Sequence, residues 1–464
     1  MTDVIIVGGG PAGAALAILL GRQGIAVELH ERGRFPREKP CGEGVMPAGV
    51  AVLRRLGLEE AVGGFAFHGV RYRVTNTTPI GGGYQGMRHG VDDGTRTGGA
   101  MQIGTSDGRV SGECVALGRF PASNGQPAMG LAQRRSHFDR VLFEAAAATS
   151  GVCAFTGSAV EGLVGGNGNG RVEGVIAAGR ERRAKLVVAA DGAQSRTRSL
   201  LGWNPPVNGT RRRVGMRAHF RLAAGQTQEP WVDVFVGPGH ELYVTPLPRD
   251  ELLVAALADA EVVRESRSAG ATGNARKFAE SNRTPVRESA GLKAGATFAP
   301  GEGAGGATMA RAFAGWCMSH RALVERLEGA EQVSELLATS PLSGRARNGA
   351  GPGIVLLGDA AGSCDPVTGG GIAQALVSAE LLAHHIVRHG VTEQSWLDDF
   401  DRARCALLRD YARLTGGLLW LTAHPWLAKQ AVRVAARVPR VVSHLVGVAG
   451  GVRPLVGIRN RALP

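Results

Sequence analysis

A chain of 464 residues, 44% hydrophobic and 20% charged, is long enough for two or three domains and too apolar to be disordered throughout. The net charge of +13 rests on arginine, because among the 53 basic residues only Lys39, Lys185, Lys277, Lys293 and Lys429 are lysines. With 70 glycines, that skew reads as composition bias, and no arginine-rich recognition helix or aromatic ladder accompanies it, which argues against nucleic acid as a partner. The six cysteines (Cys41, Cys114, Cys153, Cys317, Cys364, Cys405) show no C-x-x-C spacing, so neither a metal site nor a disulfide frame is expected. The start, "MTDVIIVGGGPAG", has no basic region ahead of its apolar run, and no run reaches the roughly 18 residues of a membrane span. A cytoplasmic chain is the expectation.

The first elements in chain order are "DVIIVGGGPAGAALAILLGRQGIAVELHER", which reads as strand, turn, helix, turn, strand. Gly8, Gly10 and Gly13 fit G-x-G-x-x-G. The first permits a tight turn, the second lets backbone approach a pyrophosphate, and the third allows close helix–strand packing. Pro11 and Ala12 open the helix, whose N-terminus faces the phosphates. Glu31, with Arg32 beside it, ends the second strand, where a carboxylate can bind ribose hydroxyls and disfavours a 2′-phosphate. The nucleotide expected here is therefore FAD or NAD rather than NADP.

Short alternating runs follow between 205 and 260 ("VGMRAHFRL", "WVDVFV", "ELYVTPLP") and read as antiparallel strands. Further on, "GPGIVLLGDAAGSCDPVTGGGIAQAL" is another buried strand ending in Gly358 and Asp359. A carboxylate there can hold a polyol such as a ribityl chain. Pro366 stiffens the next loop, and Gly369, Gly370, Gly371 and Ile372 begin a helix. Backbone N–H groups without side chains can approach a flat electron-poor ring and stabilise negative charge on it. Cys364 reads as a small filler.

Taken together, these motifs resemble the FAD-dependent monooxygenase superfamily of the aromatic hydroxylase type, which also contains geranylgeranyl reductases and flavin halogenases. Three further stretches are similar to that superfamily. "VVAADGAQSRTR" looks like its Asp-Gly motif, with Asp191 and Gly192. "RRSHFDRVL" resembles its R-x-x-F-D-x-x-L helix start, which implies Arg135 near the flavin phosphates or ribityl chain. "RFPREKPCGEGVMPAGVAVLRRLGL" looks like its flavin-contacting loop, with Cys41 and Gly42. The resemblance spans roughly residues 1–72, 117–260 and 318–390.

It implies an α/β fold with a Rossmann-like FAD-binding domain of the GR2 type, discontinuous over 1–72, 131–200 and 340–390. It also implies a substrate domain over 73–130 and 201–339, built on an antiparallel sheet, and a helical region over 391–464. The stretches 75–116 and 265–315, rich in Gly, Thr and Ser, read as insertions, mobile loops or disorder. The last 70 residues read as helices broken at Pro425, Pro439 and Pro454. They form either a cap or, through spaced arginines, a peripheral membrane contact.

By the same resemblance the chain holds FAD tightly, takes electrons from NAD(P)H as a transient donor, and hydroxylates a hydrophobic aromatic small molecule with O2. Candidates to polarise a phenol are Arg217 and His219, two residues apart on one face, with His240 and Tyr243. A geranylgeranyl-reductase-like activity is the alternative, since "CGEG" and "GDAAG" resemble that branch; Thr245 replaces the Trp of its Y-x-W-x-F-P strand. Halogenation is disfavoured by the missing W-x-W-x-I-P motif and lysine. A non-catalytic flavin protein and an NAD-dependent dehydrogenase are the remaining readings. The latter leaves the Asp359–Ile372 motif unexplained.

Overall fold

The computed structural model describes residues 2–75, 109–110, 113–122, 127–166, 170–205, 213–265, 304–392 and 395–456. A parallel sheet is centred on Thr2–Val7, whose Val4, Ile5 and Ile6 are fully buried. Val27–Glu31 and then Val152–Thr156 extend it on one side; the second half of Arg180–Ala189 and then Ile354–Leu356 extend it on the other. Strands buried on both faces read as continuous apolar runs, as "DVIIV" and "GIVLL" do. The first half of Arg180–Ala189 leaves this layer and forms an antiparallel meander with Val172–Ala177 and Val160–Gly165. The meander covers one face, through Val160, Val172 and Val175 against Ile5 and Val187. Helices Pro11–Gly21, Arg135–Ala147 and Gly371–His389 cover the other. Pro11–Gly21 is buried at every position but Leu19, which explains a sequence of Ala and Leu with no polar stripe.

The second sheet is almost wholly antiparallel. Its order runs from Arg213–Arg221 through Glu251–Asp259, His240–Leu247 and Val232–Gly237 to Gly69–Thr75 and Glu113–Arg119, with Val232–Gly237 and Gly69–Thr75 parallel. One face packs Met216, Phe220, Leu242 and Val254 under helices Ala304–Met318 and Arg321–Arg326. The same side carries a charged knot. Asp233, 1% exposed, accepts from Arg71 and Arg73 at 2.8 Å and from Arg326 at 2.6 Å. The opposite, inner face turns toward the parallel sheet. Arg217, Ala255, Tyr243, Val234 and Tyr72 form one cross-strand row on it.

Three C-terminal helices, Leu397–Thr422, Pro425–Ala435 and Pro439–Ala449, close the molecule, and Val432, Val442 and Val446 lie on the inner face of the sheet. Pro425 and Pro439 interrupt the helical run by opening the next helix, at the first-turn position that tolerates a missing N–H. Most of 75–116 and 265–315 falls outside the described residues. The ends of both differ from the loop expectation: Glu113–Arg119 is a strand, and Ala304–Met318 is a helix whose glycines masked its alanine-rich pattern.

Candidate dinucleotide-binding cleft

The strand ends of the parallel sheet meet at one edge, and each glycine of the first motif has a distinct reason there. Gly8 adopts φ +108°, and a Cβ on it would lie 2.4 Å from the Ala190 carbonyl oxygen. A Cβ on Gly13 would lie 1.9 Å from the Gly8 oxygen. Gly10 faces open space, with only the Arg37 guanidinium, 3.8 Å away, in reach of a Cβ there. Gly10 caps Pro11–Gly21 without a side-chain acceptor, so the first-turn N–H groups have no intrahelical partner. Ala12 packs beside Gly358, its Cβ 3.2 Å from where a Gly358 Cβ would sit, and Ala375 approaches the same point at 3.9 Å. The N-terminal parts of both glycine-led helices thus converge on the Gly358–Asp359 strand end.

Buried Glu31 accepts from Gly9 N and Gly33 N, each at 2.8 Å, and from Arg37 at 3.4 Å. It braces the turn, and a carboxylate with about four acceptor sites keeps capacity for a ribose hydroxyl. Arg32 is exposed just beyond.

Three cations line the cleft. Arg135 makes a bidentate pair with Asp139 (2.7 and 2.8 Å), and Arg37 reaches Asp139 at 3.2 Å. Burial alone would raise Asp139, but Arg135 and then Arg37 and Lys39 hold it below the usual carboxylate range. Burial likewise opposes the charge on Arg135, and Asp139 overcomes it. Lys39 is pushed below its ordinary value by the surrounding protein and by Arg135 and Arg37, with Asp139 and Asp359 pulling the other way. Its Nζ lies 3.6 Å from where a Gly192 Cβ would be. Sequence reasoning named Arg135 and passed over Arg37 and Lys39, although both flank the "PCGEG" loop. In that loop Cys41 Sγ accepts from Glu43 N at 3.3 Å, and a Cβ on Gly42 would meet nothing within 4 Å.

Asp359 reaches solvent at the cleft floor, yet the protein around it pushes its carboxyl up, against Lys39, Arg135 and Arg198. Arg198, another residue not foreseen, ties two loops together by donating to Ala193 O at 2.6 Å and Ala360 O at 3.0 Å. Asp191 Oδ2 accepts from Thr197 N and Oγ1 at 3.0 Å each, while its buried Oδ1 has no partner. Beyond it Gly192 turns at φ +86°.

At the second helix start Pro366 begins a short 3-10 turn, Gly369 adopts φ +69°, Gly371 faces open space and Ile372 is buried in the core. Gly370 needs a different account from the one its sequence suggested. Its N–H donates to the Tyr411 hydroxyl at 3.0 Å, and a Cβ there would press on the Tyr411 ring at 2.5 Å. Gly370 therefore makes room for a tyrosine, and the open backbone begins at Gly371.

The four candidate catalytic residues separate in space. Tyr243 lies on the inner face and donates to Val367 O at 2.9 Å, under the loop that leads into Gly371. Arg217 and His219 share that face, as their spacing implied, but both are locked into structure. Arg217 holds Glu38, the Lys39 carbonyl and Ser334. His219 meets Glu43 at 2.7 Å and Ser334 at 2.9 Å. Together they clamp the 38–43 loop to the sheet. Glu38, Glu43 and His219 bring potential ligand atoms within 4.8 Å of one another, and these contacts already satisfy them. His240 is corrected outright. It points to the opposite face, stacked on Trp316 at 5.0 Å and beside His320, because strand alternation puts it out of phase with Tyr243.

The cleft has open backbone at Gly10, Gly42 and Gly371, three cations, and two orphaned buried atoms, Arg37 Nε and Asp191 Oδ1. That donor set fits an elongated, doubly anionic dinucleotide with a polyol and a ring at its far end, which makes this a flavoprotein-type site. The FAD binding domain family model matches residues 1–287, and the chain belongs to that family. The chain is 26% identical over 408 residues to a menaquinone reductase of Mycolicibacterium smegmatis, covering 85% of this chain and 78% of the relative. It is 33% identical over 206 residues to a 6-methylpretetramide 4-monooxygenase of Streptomyces rimosus, covering 43% and 41%. Among solved structures, a flavoprotein/dehydrogenase from Cytophaga hutchinsonii shares the fold at a TM-score of 0.68 and 18% identity, covering 97% and 92%. The protein is an FAD-dependent oxidoreductase of the FAD monooxygenase superfamily. Among the described residues no helix is long and apolar enough to cross a membrane.

Proposed function

We propose that the chain is an NAD(P)H-consuming flavin monooxygenase that hydroxylates a hydrophobic aromatic molecule of phenol, quinone or polyketide type. The observation that carries this reading is the chemistry of the inner sheet face. Val232, Val234, Leu253 and Ala255 make it apolar, and Tyr72 and Tyr243 set two phenols into it. Burial pushes Tyr72 up to about 12 and Tyr243 well above its ordinary value, so both remain protonated donors at neutral pH. The Tyr243 proton is committed to Val367, which leaves Tyr72 to orient a phenol or quinone oxygen. Arg213 on the same face donates to both Glu241 and Asp365, and so holds the flavin-side loop rather than a substrate.

Bound FAD would supply the electron transfer and oxygen activation. Arg37, Lys39, Arg135 and the first-turn N–H groups of Pro11–Gly21 would hold its phosphates, Asp359 its polyol, and the backbone from Gly371 its ring. The C-terminal helices, packed on the inner sheet face, would keep water from it. The similarity to a 6-methylpretetramide 4-monooxygenase supports oxygen insertion.

Reduction without oxygen insertion, including saturation of an isoprenoid double bond, is the second reading. The similarity to a menaquinone reductase favours it, because that match runs over 85% of the chain against 43% for the monooxygenase. One experiment separates the two. The holoprotein is reduced anaerobically by NADPH or NADH with candidate phenols and quinones, and isotopically labelled O2 is then admitted. Label in the product, formed only after oxygen enters, supports hydroxylation. A product that gains two hydrogens and no oxygen under anaerobic conditions overturns it in favour of reduction.

A further inference from the structure

The final 54 residues contain eight Arg or Lys and no Asp or Glu; the last acid of the chain is Asp410. Within this stretch the inner sides of the helices are spoken for: Ala428 and Val432 on Pro425–Ala435, and Val442 and Val446 on Pro439–Ala449, are buried. The outer sides carry large apolar groups as well. Trp420 is 60% exposed, Trp426 69%, Val434 57%, Val438 43% and Val441 53%. Trp231, Trp316 and Trp396 are buried and Trp203 is half-buried, so among the described residues exposed indole is confined to this corner. Trp420 and Trp426 flank the turn between two helices, where His424 packs against the Trp420 ring at 4.9 Å. Arg437 and Arg440 are exposed between Val434 and Val441, and Lys429 lies one turn along from Trp426. A helix pair that needed only to cap the sheet would have one apolar side.

We propose that this outer surface docks on an anionic lipid bilayer. The two indoles and three valines would enter the headgroup boundary, while Lys429, Arg437 and Arg440 meet lipid phosphates. Charge complementarity singles out this occupant, because a surface with cations and no acids of its own repels a second copy of itself. Insertion is shallow, since no described helix can span the bilayer. The same helices pack on the inner sheet face through Val432, Val442 and Val446, so docking sets the cover of that face against a lipid phase. The docking stands apart from whichever reaction the flavin performs.

The test is co-sedimentation of the full-length holoprotein with phosphatidylcholine vesicles and with vesicles mixed with phosphatidylglycerol, alongside tryptophan emission. Binding to the mixed vesicles, a blue-shifted emission and weakening by salt are expected. Trp420→Ser with Trp426→Ser should lower vesicle affinity roughly tenfold or more, in proportion to the apolar area withdrawn. Arg437→Gln with Arg440→Gln should weaken the preference for anionic lipid, and an unchanged preference overturns the assignment of these cations. Unchanged FAD content and melting in these variants would keep the folded state out of the comparison. Absence of binding to either vesicle, or full binding by the tryptophan variant, overturns the proposal. So does sedimentation showing a dimer that the tryptophan variant dissociates while vesicles go unbound.

Discussion

In the parallel sheet, the contacts that shape the cleft are made by backbone: Gly13 against the Gly8 carbonyl, and Gly8 against Ala190. In the antiparallel sheet, the corresponding contacts are made by charges, most of them buried: Asp233 with three arginines, Arg213 with Glu241 and Asp365, and buried Arg217 with exposed Glu38. The first arrangement leaves a characteristic spacing of residues with no side chain. The second leaves charged residues that look catalytic from the sequence and are structural in the fold. Charge on a strand of the antiparallel sheet therefore locates loops more often than it locates chemistry.

The contrast can be broken most sharply at Gly13. Gly13→Ala should cost about 3–5 kcal/mol and strip the protein of flavin, because its Cβ overlaps backbone that cannot move aside. Denaturant melts and the visible absorption of the purified variant measure both effects. Asp233→Asn, in the other sheet, should cost about 3 kcal/mol by leaving three arginines around an uncharged amide. Flavin bound per folded molecule should not change. Equal flavin loss in both variants would erase the distinction.

That distinction also explains what could be read from the chain. The two glycine motifs, Glu31 and Asp359 were legible because each follows a strand and opens or braces a helix at a fixed spacing, and Arg135 was legible only through the family resemblance of its helix start. Arg37 and Lys39 were not, since their position depends on how the 35–43 loop folds back over the cleft. Tyr72 was missed because the stretch joining its strand to the rest of the sheet has no periodicity. Gly370 was legible as a needed glycine but not for its reason, which is Tyr411 from a helix 41 residues later. His240 sits in a strand whose alternation was clear, but its phase depended on knowing which side faces the cleft.

A gentler probe uses pH. Burial depresses His240 to about 4 and His320 to about 3, so the unfolded chain takes up protons first as pH falls below about 6.5. Stability held at neutral pH is lost between that point and the folded values, by about 1.4 kcal/mol per histidine one unit below the unfolded value. Urea midpoints near pH 7.5 and pH 5.5 should show this loss in the parent and a smaller one in His320→Leu, where His240 and His30, which burial also holds below its ordinary value, supply the rest. The smallest effect expected is from Tyr411→Phe. Losing one hydrogen bond to Gly370 should cost about 1 kcal/mol and shift the flavin spectrum without releasing the flavin. Full release would place Tyr411 among the cofactor contacts.

The central claim is that a single FAD reaches from the first glycine-led helix to the second. A Cβ at Gly10 meets only the Arg37 guanidinium at 3.8 Å, and one at Gly371 meets nothing within 4 Å, so valine at either position fits the apoprotein and fills space meant for ligand. Titration of the apoprotein and of Gly10→Val and Gly371→Val with FAD, followed by flavin fluorescence, tests this directly. The account predicts one FAD per chain, at least tenfold weaker in each variant, with apoprotein melting unchanged. Undiminished binding in either variant, or two FAD per chain, would contradict it.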